Sequence, residues 1–248
     1  MNTMRARVLA LMLAAGLVPA VAFADSSSSK EKAALDASLA HAAFGAERSS
    51  QDARSVADWV VVSGDNDKLP FAILDKKDAR VYVFHPDGRL RGAAPALLGL
   101  GRGDVALSGI GARELSAIAP KDRVTQAGRF VADLGVDSHG EDVLWLDYEG
   151  GLAMHRVITS NPKDRRAERL ATPTPLDNRI SFGCINLPVK FYENVVAPAF
   201  TGTKGIVYVL PETREPRAFF ASGEAPNTVA RPMIVVNQPQ ARSGATGN

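Results

Sequence analysis

Two residues of this sequence have a type and setting suited to covalent chemistry, and the first is its single cysteine, Cys184. It follows Gly183 and comes shortly before Pro188, where apolar periodicity predicts the start of a helix. Backbone N–H groups in a turn and the positive end of a helix favour a thiolate, so we expect a lowered thiol pKa. Gly183 lacks a Cβ, so a substrate carbonyl can approach the N–H groups of Gly183 and Cys184, which suit an oxyanion. By count alone, an inert buried cysteine is an equal alternative.

The second is a histidine that can act as the base a thiol nucleophile needs. His155 lies in an otherwise apolar strand-like run, Leu-Ala-Met-His-Arg, where a polar ring must be hydrogen-bonded. Considered alone, His155 fits a hydrogen-bonded residue of the core. Its pairing with the one cysteine instead favours the role of general base. The other three histidines fit non-catalytic positions: His41 the surface of an Ala-rich helix, His85 the end of a strand, and His139 an exposed turn. So few histidines and cysteines predict no zinc site, and no cofactor is expected.

Strand-like alternation and turn residues dominate residues 69–211, which predicts a mainly β fold, a β-rich α+β domain. Turns at residues 86–88 and 150–151 each join two strand-like runs at hairpin distance. Residues 102–121 predict a crossing loop with one or two helical turns. A helix is expected from Pro188, followed by a strand at 205–211.

The flanking segments indicate export. Residues 1–24 have two arginines, an apolar run and Ala-Phe-Ala, which is typical of a signal peptide cleaved after Ala24. An uncleaved anchor is the alternative, but the run is shorter than the roughly 20 residues of a spanning helix. Residues 25–68 predict a linker and a helical segment packed on the main domain, and 212–248 a partly disordered extension with an edge strand at 231–238. We expect a periplasmic or cell-wall-associated protein without a membrane span after cleavage.

Composition argues against nucleic acid as a partner. The net charge is +2 and aromatic residues make up 6%, which leaves neither a basic stripe for phosphates nor a stacking platform for bases.

The residues around Cys184 resemble the signature of the L,D-transpeptidase family, also called the YkuD domain. That signature is a histidine on a strand followed by Ser/Thr-His-Gly-Cys-hydrophobic-Asn or Arg, and here His155 and residues 181–186, Ser-Phe-Gly-Cys-Ile-Asn, match it. Residues 125–130, Thr-Gln-Ala-Gly-Arg-Phe, resemble the family's Thr-Pro-x-Gly-x-Phe stretch. The resemblance covers about residues 71–211 and implies a cysteine facing a histidine across a narrow cleft.

The chain departs from the signature in two places. Phe182 stands where the family has a histidine, and 184 − 155 = 29 residues separate the base from the nucleophile, more than is usual. The extra length adds a charged loop at residues 161–169. We expect this loop to be either a solvated excursion or a lid whose basic residues meet substrate carboxylates. Its basic residues are Lys163, Arg165, Arg166 and Arg169.

The resemblance implies that Cys184 attacks a peptidoglycan stem peptide, that His155 is general base and acid, and that a thioester is resolved by an amine into a crosslink. A backbone carbonyl just after His155 is expected to orient the ring, and Ser181 and Asn186 to hold the cysteine turn. If water resolves the thioester, the protein is a carboxypeptidase or a hydrolase of the wall or of a wall-linked lipoprotein. A non-catalytic wall-binding protein of the same fold is the third alternative.

Overall fold

The computed structural model describes residues 41–223 and 225–229, and its architecture is mainly β. The strands are β1 (Phe71–Asp75), β2 (Arg80–Phe84), β3 (Leu90–Pro95), β4 (Leu98–Gly99), β5 (Gly128–Val136), β6 (Asp142–Asp147), β7 (Leu152–Arg156), β8 (Arg179–Ser181), β9 (Ile185–Leu187), β10 (Gly205–Val209) and β11 (Asn227–Val229). The helices are α1 (Gln51–Ser63), α2 (Arg166–Ala171), α3 (Val189–Phe191), α4 (Ala197–Phe200) and α5 (Pro216–Ala221), with a π-helical turn (Tyr192–Val196) between α3 and α4. The predicted fold class is confirmed.

Nine strands form one sheet in the order β3-β2-β1-β10-β5-β6-β7-β9, with β11 beside β5. The β1–β10, β7–β9 and β5–β11 pairs are parallel, and the other neighbours are antiparallel. A bridge between Leu97, after β3, and Asn186 in β9 joins the two ends of this order, so the sheet nearly closes on itself. β4 and β8 form a separate parallel pair. The turn that carries Cys184 therefore lies between β8 and β9.

Apolar side chains are buried on both faces of the sheet, because successive strand residues point to opposite sides. In β1, Ala72 and Leu74 belong to a first buried cluster, which the helical segment after β9 covers. Phe71 and Ile73 belong to a second cluster, which α1 and α5 cover. Strands buried on both faces read as continuous apolar runs, as β1 and β10 do.

The predicted helical segment before the sheet is confirmed as α1. The Ser50 hydroxyl caps its start by accepting the Ala53 N–H at 3.0 Å, and Gly64 ends it with φ +69°. The placement of His41 in a helix is wrong. Its neighbour Ala43 pairs with the β2–β3 hairpin at Arg89, which draws this part of the chain out of helical geometry.

Residues 102–121 form a loop with short helical turns, as predicted, and three 3₁₀ turns lie in or at the end of it: Ile110–Ala112, Leu115–Ala117 and Pro120–Asp122. A second loop prediction is corrected. The 161–169 segment is not an open loop, since it contains a 3₁₀ turn at Pro162–Asp164 and the beginning of α2.

The predicted hairpin turns at 86–88 and 150–151 and the strand after residue 205 are confirmed. The predicted signal peptide, the edge strand at 231–238 and the disordered tail lie outside the described residues, and the domain boundaries stay predictions. None of the described helices has the length and apolarity to cross a membrane.

A buried cluster of charges joins four separate segments. The Lys76 ammonium lies 3.0 Å from Asp104 and 3.6 Å from Glu212, and Arg179 lies 2.8 Å from Glu212. All four side chains are at most 8% exposed. Burial would raise the pKa of Asp104, but hydrogen bonds from Thr213, the Glu212 N–H and Lys76 lower it to about 2. Because β8 begins at Arg179, this cluster supports the strand that leads to Cys184.

Candidate active site

Cys184 comes directly before β9, the strand that pairs with the strand of His155. In the parallel register of β7 and β9, His155 is the partner of Asn186, two residues after Cys184. Met154 and Ile185 belong to the first core cluster, so His155 and Asn186, the next residues along each strand, face the other side of the sheet. The N–H of Ala153, two residues before His155 on β7, contacts the Cys184 thiol.

The backbone orients the imidazole of His155. Its Nδ1 lies 2.7 Å from the carbonyl oxygen of Arg156, and Nδ1 carries the proton because a carbonyl only accepts. Nε2 is left as the acceptor, without a hydrogen-bond partner among the described residues. Burial lowers the pKa of His155. The hydrogen bond to the Arg156 carbonyl raises this pKa in part, and the positive charge of Arg166 lowers it further. The lowered pKa of His155 favours the neutral ring, and the predicted carbonyl beside the ring is confirmed as that of Arg156.

The thiol of Cys184 does not bond to this ring, but donates to the carbonyl oxygen of Gly151 at 3.3 Å. Burial raises the pKa of the Cys184 thiol, and the Ala153 N–H only partly opposes this. The expected lowering of the thiol pKa is wrong. The helix that was expected to cause it begins at Val189, and β9 separates Cys184 from its positive end. The two pKa shifts, down for the imidazole of His155 and up for the thiol of Cys184, both favour the uncharged form.

The N–H of Cys184 is a backbone donor that is available in the turn before β9. Gly183 has φ +137°, a region that favours glycine, and a Cβ there would lie 3.1 Å from the carbonyl oxygen of Val124. The Gly183 N–H donates to Ser181 Oγ at 3.1 Å, so this predicted oxyanion donor is engaged. The Cys184 N–H donates to no acceptor in the described part of the chain. It is the backbone group that can meet an oxyanion.

Ser181 and Asn186 hold the turn, as predicted. The Ser181 hydroxyl donates to the Cys184 carbonyl at 2.6 Å, and the Asn186 side-chain amide donates to the same carbonyl at 3.3 Å. Asn186 is held in turn by Arg166, whose guanidinium donates to its Oδ1 at 3.0 Å. These bonds hold Cys184 in place through its carbonyl.

The basic residues of the 161–169 segment mostly bind within the protein. Arg166 reaches inward to Asn186, and Arg169 donates to two backbone carbonyls, at 2.7 Å and 2.6 Å. Arg165 pairs at the surface with the glutamate three residues later. The Lys163 ammonium has no partner among the described residues. The segment therefore supports β9 through the bond from Arg166 to Asn186. At most one of its four cations is without a partner and free for a substrate carboxylate.

Cys184 and His155 line two different clefts. The cleft on the cysteine side, here the thiol cleft, has about 590 Å³ of open space. Its wall combines apolar residues of the 3₁₀ turns with the Gly150–Gly151 hairpin, Phe182 and Arg113. The cleft on the histidine side has about 760 Å³ and includes Asp137 and His139. Cys184 and His155 thus each line a cleft, and the linings of the two clefts share no residue.

Two features that shape the site were not predicted from local patterns. Thr125 is fully buried and donates to the Gly183 carbonyl at 2.7 Å. Phe182, in the place of the motif histidine, has the Arg123 guanidinium 4.0 Å from its ring centroid. Only the fold brings residues 123–125 to this turn. Among the described residues, no group of three or more metal-ligating side chains is clustered for an ion.

No family model matches the chain, and no curated protein matches it. Nine chains of solved structures do. Two are the helical cell shape determining protein Pgp2 from Campylobacter jejuni, at 18% identity over 64% of this chain with a TM-score of 0.38, and a mutant of the same protein, at 17% identity over 67% with a TM-score of 0.37. The alignments span 56% and 58% of those chains, less than two thirds of their length.

Proposed function

We propose that this protein is a cysteine acyltransferase of the L,D-transpeptidase type that acts on peptidoglycan stem peptides. The observation that supports the proposal is the parallel pairing of β7, which contains His155, with β9, which begins directly after Cys184. Among the described residues, Nε2 of His155 has no hydrogen-bond partner and the Cys184 N–H has no acceptor. The substrate class rests on the resemblance of residues 181–186 to the family signature and on the export signal expected at residues 1–24.

The reaction begins with rotation of the Cys184 side chain from the Gly151 carbonyl towards His155. Nε2 takes the thiol proton as the sulfur attacks the donor carbonyl, and the Cys184 N–H donates to the oxyanion. The carbonyl–nitrogen bond breaks, and the leaving amine takes the proton from Nε2. An acceptor amine then attacks the thioester, gives its proton to Nε2, and the departing sulfur regains it.

Mass spectrometry tests this on purified protein incubated with disaccharide tetrapeptide. We expect a thioester adduct on the intact protein and crosslinked dimers, or tripeptide if water is the acceptor. Cys184→Ala should form neither adduct nor product, and His155→Gln should lose about 10²–10⁴-fold in rate. His85→Gln, remote from both clefts, is the matched control and should keep full activity. Normal product formation by Cys184→Ala would refute the proposal.

One observation favours a second function, a non-catalytic wall-binding protein. The thiol bonds to Gly151 and its pKa is raised, which is typical of an unreactive cysteine. On this alternative, wild type and Cys184→Ala sediment equally with insoluble peptidoglycan, and neither is acylated by a carbapenem. Acylation of the wild type alone excludes it.

A further inference from the structure

The peptide bond between Gly183 and Cys184 is held by a hydroxyl from another part of the chain. Thr125 lies in the segment before β5 and is 0% exposed. Its Oγ1 accepts the Gly99 N–H at 2.9 Å and donates to the Gly183 carbonyl at 2.7 Å. A hydroxyl has one proton, and a backbone N–H cannot accept it, so the direction of both bonds is determined.

This geometry determines where the Cys184 N–H points. In a trans peptide the N–H is directed opposite to the C=O of the same unit. The Gly183 carbonyl is directed at Thr125, so the Cys184 N–H is directed away from Thr125. We infer that Thr125 is a positioning residue that aims and polarises the Cys184 N–H as the oxyanion donor of the reaction, an inference that rests on the proposed function.

Two further contacts make this arrangement rigid. The Thr125 carbonyl accepts a hydrogen bond from the buried Lys76 ammonium at 3.0 Å, which ties its backbone to the charge cluster. The Cys184 carbonyl is held separately by Ser181 and Asn186. Both peptide units around the nucleophile are thereby held through their carbonyls, and the Cys184 N–H is left for substrate.

The chemical argument distinguishes this role from simple packing. A hydrogen bond to the carbonyl of a peptide draws electron density from its nitrogen, so the N–H on the other side becomes a stronger donor. The benefit appears only when charge develops on a substrate oxygen, as in acyl transfer. Displacement of halide by a thiol develops no such charge, so it should not depend on Thr125.

The test compares acylation by a carbapenem with alkylation by iodoacetamide at Cys184, the only thiol. Thr125→Val keeps the shape and lacks the hydroxyl, whereas Thr125→Ser keeps the hydroxyl. Loss of one oxyanion donor lowers rates by about 10²–10³-fold, so we expect the maximal acylation rate of Thr125→Val to fall by at least about tenfold. Its alkylation rate should stay within about twofold of the wild type, and Thr125→Ser should recover most of the acylation rate.

Equal acylation by Thr125→Val and wild type would overturn the inference, and so would a parallel fall in acylation and alkylation. If the valine variant does not fold, Thr125→Ala replaces it, since alanine also lacks the hydroxyl and places no extra methyl against the Gly99 N–H. Failure of the proposed function gives a different result, because the wild type itself would then not be acylated.

Discussion

Replacing Lys76 by methionine should cost about 3–5 kcal/mol of unfolding free energy. The ammonium donates to the Gly103 carbonyl at 2.6 Å, to Asp104 at 3.0 Å and to the Thr125 carbonyl at 3.0 Å. Methionine has similar length and fills the space, so the cavity contribution is small. The cost arises because Asp104 and Glu212, only 7% and 8% exposed, lose a cation at 3.0 Å and 3.6 Å and stay buried as carboxylates.

The neighbouring lysine offers a matched control. Lys77 is 48% exposed and pairs with Asp52 at 2.8 Å, and an exposed pair is worth about 0–1 kcal/mol. Equilibrium urea unfolding of wild type, Lys76→Met and Lys77→Met, followed by tryptophan fluorescence, measures both losses. At about 2–4 °C per kcal/mol for a chain of this size, Lys76→Met should also melt about 6–20 °C lower. A loss for Lys76→Met that is no larger than that for Lys77→Met would refute the reasoning.

Two further predictions concern the cysteine turn. Because burial raises the pKa of the Cys184 thiol, its alkylation by iodoacetamide should keep accelerating from pH 6 to about pH 9, and a rate already maximal at pH 7 would contradict this. Gly183→Ala and Gly103→Ala should each cost about 1–3 kcal/mol through their positive φ, +137° and +134°. Only Gly183→Ala should also slow acylation, because its Cβ would press on the Val124 carbonyl whereas Gly103 faces open space. Equal acylation by the two variants would argue against the close approach.

Local patterns were sufficient for features whose causes are local. The apolar spacing of α1, the turn at 86–88 and the alternation in β6 predicted these elements, because side-chain period and turn chemistry act within a few residues. The same reasoning failed for His41, whose neighbours are held by the β2–β3 hairpin. There, a contact distant in sequence outweighs local propensity.

Residue types and their order were sufficient to predict the candidates for chemistry: one cysteine, one histidine on an apolar strand, and a Ser-x-Gly-Cys-x-Asn turn. The electrostatic state of these residues and the contacts that support them depend on tertiary structure. The thiol pKa is raised, not lowered, because the fold buries the Cys184 thiol. The helix whose positive end was expected to lower it begins only after β9, at Val189. Thr125, which bonds to the turn, lies 184 − 125 = 59 residues before Cys184, and Lys76, which bonds to the Thr125 carbonyl, lies 184 − 76 = 108 residues before it. No local pattern encodes a hydrogen bond between residues that only folding brings together.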